Sequence, residues 1–215
     1  MNNQPTTVIL VRHGETEWNR TDRFRGRADM ELNEAGHLQA QAIARRLTAF
    51  TVVAVYSSPL KRALDTARPI AKLFGLEVVF LEGIIDIDYG QWQGLSPEEA
   101  QQQYPEAYGA WLSEPRLARI PGGETLEGVR ERALAALQQT VQQHQGETVV
   151  LVSHKVVCKV LMCAVLGLDN SHFWQIEQDN GAIDLFQAWG KGFTVNLVND
   201  TCHLGLTASG RKGLT

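Results

Sequence analysis

Two short stretches of this sequence end in a histidine that follows an apolar run. Val8–Val11 leads into Arg12-His13-Gly14, and Thr148–Val152 leads into Ser153-His154. A second arginine, Arg62, falls in the first turn of the helix expected after Ser57-Ser58-Pro59. Guanidinium groups match the oxygens of a phosphoryl group in a forked, bidentate way. A neutral imidazole nitrogen is a competent nucleophile toward phosphorus. Arg12, His13, Arg62 and His154 could therefore line one pocket the size of a phosphate. Gly14, beside His13, would let the backbone come close to a ligand. Metal binding is the rival use of histidines and carboxylates, but no HExxH, HxH or paired-cysteine spacing occurs. Arginines at the same place would repel a cation, so no metal and no other cofactor is expected.

These residues need elements that bring them together. Val8–Val11, Val52–Tyr56, Glu77–Leu81 and Thr148–Val152 read as strands, with a closing pair at Ala182–Ala188 and Phe193–Val198 around a Gly190-Lys191-Gly192 turn. Helices are expected from Asn33 to Leu47, Leu60 to Phe74, Thr125 to His144 and Val156 to Leu166, with Asn33 as an N-cap and Gly75 as a C-terminal stop. Alternating strands and helices imply a mostly parallel central sheet in a three-layer α/β/α domain. Ligands then sit at the carboxyl ends of the strands, where both histidines fall. Residues 83–123 are rich in Gly, Pro, Trp and Gln and read as a small helical lid inserted into a single domain spanning 1–215. The tail runs from about 199 to 215, and Ser209–Thr215 is expected to fray.

With 215 residues and 44% hydrophobic composition, the chain can bury a large core without disulfides. A net charge of −4 argues against a nucleic-acid binder or a polybasic membrane binder. Cys158, Cys163 and Cys202 form an odd, unpaired set, read as buried small apolar residues. Neither a signal peptide nor an apolar run long enough to span a membrane stands out, which points to the cytoplasm. The expected partner is a small phosphorylated metabolite. An edge strand or the tail could support a homodimer.

Arg12-His13-Gly14-Glu15-Thr16 with Trp18-Asn19 resembles the signature of the histidine phosphatase superfamily, in its phosphoglycerate mutase-like branch. The likeness continues in Ser57 to Ala67, in Tyr89 to Gly94, in Pro121-Gly122-Gly123-Glu124 and in Val152-Ser153-His154. The resemblance implies that His13 becomes a phosphohistidine. It implies that Arg12, Arg62 and His154 bind the phosphoryl group, with Thr16 and Asn19 contacting phosphate or substrate. Asp86 falls where the branch usually has a glutamate as proton donor, one methylene longer. Asp88, two residues on, is the fallback acid. Lys155 follows His154 where relatives mostly carry a smaller or uncharged residue, and would add positive charge or face solvent.

Other positions are open. Arg23, Arg25 and Arg27 surround Gly26 in a basic stretch that is either a solvated loop or a substrate-anion contact, with Arg25 and Gly26 kept among the binding candidates and Arg23 or Arg27 the favoured contact. Tyr89 and Trp92 fit lid packing, with Tyr89 also a binding candidate. Glu124 could orient a pocket arginine or help place the acid. The tail around His203, with Phe173-Trp174 and Asp179-Asn180, resembles that of metal-independent phosphoserine phosphatases, which makes His203 a substrate-contact candidate. The implied activity is hydrolysis of a small phosphomonoester, with phosphoserine leading. Phosphoglycerate mutases of the family are usually longer beside the site, so the compact insertion favours a phosphatase over a mutase. The aspartate at 86 leaves a third reading, a catalytically weak phosphate-binding regulator.

Overall fold

The computed structural model describes residues 4–190 and 192–205. Lys191 and the Ser209–Thr215 end lie outside the described residues. A six-stranded sheet runs in the order β3-β2-β4-β1-β5-β6. Its strands are β1 (Thr6–Arg12), β2 (Val52–Ser57), β3 (Val78–Phe80), β4 (Thr148–Ser153), β5 (Ile183–Trp189) and β6 (Gly192–Asp200). The first four are mutually parallel, β5 pairs antiparallel with β1, and β6 pairs antiparallel with β5. The expected three-layer, mostly parallel α/β fold is what forms.

Strand side chains alternate between faces, and the core divides accordingly. Ile9, Val11, Val150 and Val152 pack with Ile43, Leu47, Ala63, Ala67 and Ile70 of helices α2 (Glu34–Arg46) and α3 (Lys61–Phe74) and the turn after α2. Val8, Leu10, Val149 and Leu151 face α6 (Leu126–Gln143) and α7 (Lys155–Val165). Each fully buried aliphatic of this kind contributes about 1.5–3 kcal/mol. The Asn33 side chain accepts from the Gly36 amide and starts α2; Gly75, at φ +67°, ends α3. Asn33 and Gly75 thus act as expected. A four-residue helix at Glu17–Arg20, α1, was not legible.

The insertion packs into the core of the domain. It carries α4 (Pro97–Gln103) and α5 (Pro105–Ser113). Ile84, Ile87, Tyr89, Trp92, Tyr108 and Trp111 belong to the same apolar cluster as Val8 and Leu10. The segment therefore closes one face of the sheet, and opening it would expose the core. Among the cysteines, Cys158 and Cys163 are buried but Cys202 is exposed, because it lies in a surface turn after β6. No helix among the described residues is long and apolar enough to cross a membrane.

Candidate active site

The two histidines meet because of strand register. Arg12 of β1 stands opposite Ser153 of β4 in a parallel pair, so His13 and His154 are the next residues on neighbouring strands. The His13 amide donates to Ser153 O at 2.9 Å, and the two ring centroids are 5.2 Å apart. Both side chains are essentially inaccessible. His13 Nδ1–H donates to Gly14 O at 2.6 Å, which leaves Nε2 as the free lone pair. Burial, then Arg62 and Arg12, hold the His13 imidazole well below its ordinary pKa. The ring is therefore neutral at physiological pH, the state a nucleophile requires.

Arg62 holds the other side of the site. It is fully buried at the second position of α3. Its Nε–H donates to His154 Nδ1 at 3.2 Å, and its terminal nitrogens donate to Gly26 O and Ala28 O at 2.7 Å and to Asp86 Oδ2 at 3.0 Å. Because Nδ1 of His154 accepts, its Nε2–H must be the donor to Ser58 Oγ, at 2.7 Å. His154 is thus neutral too; burial and then Arg62 push its pKa down.

Asp86 reaches this cluster despite its shorter side chain. Its Oδ2 lies 3.6 Å from His154 Nδ1 as well as 3.0 Å from Arg62. Burial raises its pKa, against the opposing pull of Arg62 and Arg25. A shift in that direction favours the protonated carboxyl that a general acid needs. Its backbone is held from behind. Arg132 on α6 donates to the carbonyls of Gly83, Ile85 and Asp86 at 2.9, 2.7 and 3.2 Å, and Glu124 accepts from Arg132 at 3.0 Å. Glu124 therefore helps place Asp86, through Arg132.

Arg12 is clamped by the segment before β5. One terminal nitrogen donates to Gln178 O and the other to Asn180 Oδ1 at 3.0 Å. Gln178 is itself held by the buried Asp184, whose two oxygens accept from its Nε2 at 2.7 Å. The Asn180 amide donates to His13 O and Gly14 O at 3.2 and 3.3 Å. The Nε–H of Arg12 is buried and has no partner among the described residues. Such a donor is costly unless a ligand takes it.

Of the three loop arginines, Arg25 is the one that bears most on the pocket. Its charge bears on Arg12, His13, Arg62, Asp86 and His154, and it is anchored to the carbonyls of Trp18 and Arg23. Arg23 turns away to Gly94 O and Glu99, and Arg27 pairs with Glu124 and Asp88. Gly26 is buried at φ +51°, a turn an L side chain resists, and its carbonyl is spent on Arg62. The Thr16 amide and hydroxyl both donate to Asn19 Oδ1, so the pair caps α1 and leaves the Asn19 amide group turned to other uses. Tyr89 packs edge-on against Phe24 and Trp111, and the charges acting on its hydroxyl are those of Asp86, Arg25 and Arg12. Lys155 opens α7 directly after His154 and is acted on by Arg12, Glu177 and Arg25.

Residues 8–201 match the histidine phosphatase superfamily (branch 1). The chain belongs to the histidine phosphatase superfamily. It is 40% identical over 198 residues to phosphoserine phosphatase 1 of Hydrogenobacter thermophilus, covering 92% of this chain and 94% of that one. It is 42% identical over 211 residues to a metal-independent phosphoserine phosphatase of Arabidopsis thaliana, covering 97% and 87%. Among solved structures, a phosphoserine phosphatase from Entamoeba histolytica in complex with phosphoserine superposes with a TM-score of 0.85 at 30% identity, covering 93% and 99%.

Three expectations for this phosphatase need correction. His203 is not at the pocket. Its Nε2–H donates to Gly181 O at 3.0 Å, and it lines a surface recess with Ala35, Leu38 and Gln39 of α2, because the β5–β6 hairpin returns the chain to the α2 side of the sheet. Asp88 is not a second acid: it bonds the Gly90 amide and faces Arg27 outside. What Gly14 admits is not a ligand but the chain itself, since a Cβ there would stand 2.6 Å from Gly36 O. The sequence reading missed Arg132, Gln178, Asn180 and Asp184. The one signal near any of them was the likeness of the Asp179-Asn180 segment to phosphoserine phosphatases, which includes Asn180 and says nothing of Arg132.

Proposed function

We propose that this phosphatase hydrolyses phosphoserine or a closely similar small phosphomonoester through a phosphohistidine on His13. The observation that carries the reading is the neutral His13 ring, its Nδ1 committed to Gly14 O, set 5.2 Å from His154 between Arg12 and Arg62. In the first step His13 Nε2 attacks phosphorus, the P–O ester bond breaks, and the leaving alkoxide takes the proton of Asp86. In the second, Asp86 removes a proton from water, the new P–O bond forms and the N–P bond breaks. Arg12, Arg62 and the His154 Nε2–H, which exchanges Ser58 Oγ for a phosphoryl oxygen when substrate binds, meet the charge that builds on the equatorial oxygens, in a buried site that admits little water beyond the molecule that reacts. Arg25, Thr16, Asn19, Gly26, Tyr89 and Lys155 form the rim that sorts the rest of the molecule. The named substrates of the relatives support phosphoserine as the first ester to test.

The test is phosphate release in EDTA from L-phosphoserine, 3-phosphoglycerate, sugar phosphates and p-nitrophenyl phosphate, with quenching in alkaline detergent to trap label on His13. A preference for phosphoserine and an acid-labile, alkali-stable phosphoryl group absent from His13→Ala are expected. Isomerisation of 3-phosphoglycerate without release would make the protein a mutase. Retained turnover in His13→Ala would sink the mechanism.

A further inference from the structure

Lysine is almost never fully buried unless something pairs its charge. Lys159 is 1% exposed. Its Nζ lies 4.6 Å from the ring centroid of Trp174 and 4.8 Å from that of Phe173, and no described residue accepts a hydrogen bond from it or forms an ion pair with it. Lys155, four residues earlier, stands one turn away on the same face of α7 and likewise has no such partner among the described residues. Lys155 acts on Lys159, and Arg12 acts on both. One carboxylate, the exposed Glu177, acts on both lysines without bonding to either. Arg12 adds the buried Nε–H that no described residue takes.

These features adjoin. Arg12 belongs to the phosphate pocket, and Lys155 begins at the residue after His154. The unanswered positive charge thus runs from the pocket along α7 to an aromatic wall of Phe173 and Trp174. An inorganic phosphate needs only Arg12, Arg62 and His154, the groups already placed around His13. A longer row of cations requires a second negative group on the same molecule.

We propose that Lys155 and Lys159 form a second anion subsite that takes the carboxylate of a phosphorylated carboxylic acid while its phosphoryl group faces His13. The proposal rests on the phosphoester reading of the pocket and deepens it. Glu177, beside the same lysines, supplies the opposite charge that an α-ammonium group would seek, so a phosphorylated amino acid meets both signs. Phe173 and Trp174 close the wall behind Lys159 and limit the ligand to a short carbon chain.

The test compares kcat/KM for phosphoserine, 3-phosphoglycerate and phosphoethanolamine, which lacks the carboxylate, in the wild type and in Lys155→Met, Lys159→Met and the double variant. The wild type is expected to favour the carboxylate-bearing esters by about tenfold or more, the usual worth of a charge-assisted contact. That ratio is expected to collapse to within about threefold in the double variant, chiefly through KM, and to return in Lys155→Arg. An unchanged ratio in folded variants overturns the subsite, and so does an equal loss on all three esters, which would mean a structural role. If the variants do not fold, inhibition of the wild type decides. A Ki for 3-phosphonopropionate no lower than that for propylphosphonate overturns the proposal. Turnover of 3-phosphoglycerate but not phosphoserine would remove the phosphoserine reading and leave the subsite standing. Wild-type hydrolysis with no carboxylate preference would remove the subsite and leave the phosphatase.

Discussion

Arg62 and Lys159 are two cations with 0% and 1% exposure, and they sit in opposite kinds of surroundings. Arg62 donates to Gly26, Ala28, Asp86 and His154. Lys159 rests on two aromatic rings and donates to no described residue. A desolvated cation–π contact is worth about 2 kcal/mol, less than the several that burial of an ammonium costs. The titrations follow. Burial lowers the Arg62 pKa while Asp86 supports its charge, whereas burial and Lys155 bring Lys159 down to about 7. The phosphate side of this site is finished before any ligand arrives, which is what electrostatic preorganisation means. The α7 side has no ion pair among the described residues, and the proposed subsite takes its counter-charge from the ligand.

The finished side should break most severely. Arg62→Met leaves the buried Asp86 without its ion-pair partner, a change that costs about 3–5 kcal/mol. It also removes donors to the phosphoryl group, worth about 10³-fold in kcat/KM. Arg62→Lys restores a charge but not the fork that spans His154, Asp86 and two carbonyls. It is expected to regain part of the melting temperature and little of the turnover. If Arg62→Lys recovers full activity, geometry is not what the guanidinium supplies.

Asp86→Asn comes next. The amide keeps the size but cannot donate a catalytic proton, so turnover of phosphoserine should fall by about 10²–10⁴. p-Nitrophenyl phosphate, whose leaving group needs little protonation, should lose far less. The pH dependence carries the sign. Burial raises the Asp86 pKa, so its proton is lost only as pH climbs past that raised value, and phosphoserine turnover falls there. That alkaline limb should vanish in Asp86→Asn. His13 is held neutral well below its ordinary pKa, so no acid limb near 6.5 should come from it. Equal losses on both esters, or an alkaline limb that survives, would take the acid role away from Asp86.

The same contrast explains what could be read from residues alone. His13 and His154 were legible because each ends an apolar run, and parallel register does the rest. Arg62 was legible because Ser57-Ser58-Pro59 fixes where α3 starts. The supports were not. Arg132 is one charged residue among several on α6, and nothing in its local pattern says that it reaches back to the carbonyls of Gly83, Ile85 and Asp86. Arg23, Arg25 and Arg27 alternate along one loop, so spacing alone could not say which of them faces the pocket. His203 depended on which side of the sheet the β6 hairpin returns to. Lys159 looks like an ordinary helix residue until the 170–175 turn folds Phe173 and Trp174 over it.

The smallest expected effect is on stability, and its sign is opposite. An ammonium buried without a partner is a standing cost, and an apolar side chain of similar volume relieves it. The Lys159 pKa in the folded chain, about 7, lies below its ordinary 10.5. Between those values the unfolded chain binds a proton that the folded chain does not, so stability falls as pH drops from 10.5 toward 7 and the cost is complete below 7. Lys159→Met should therefore raise the melting temperature, by about 2–4 °C for each kcal/mol relieved. The gain should be larger at pH 6 than at pH 9, with both measured in the absence of substrate. A lower melting temperature at pH 6 would mean that the ring contacts outweigh the burial cost. In that case the α7 wall is as finished as the pocket floor, and Lys159 is not waiting for an anion.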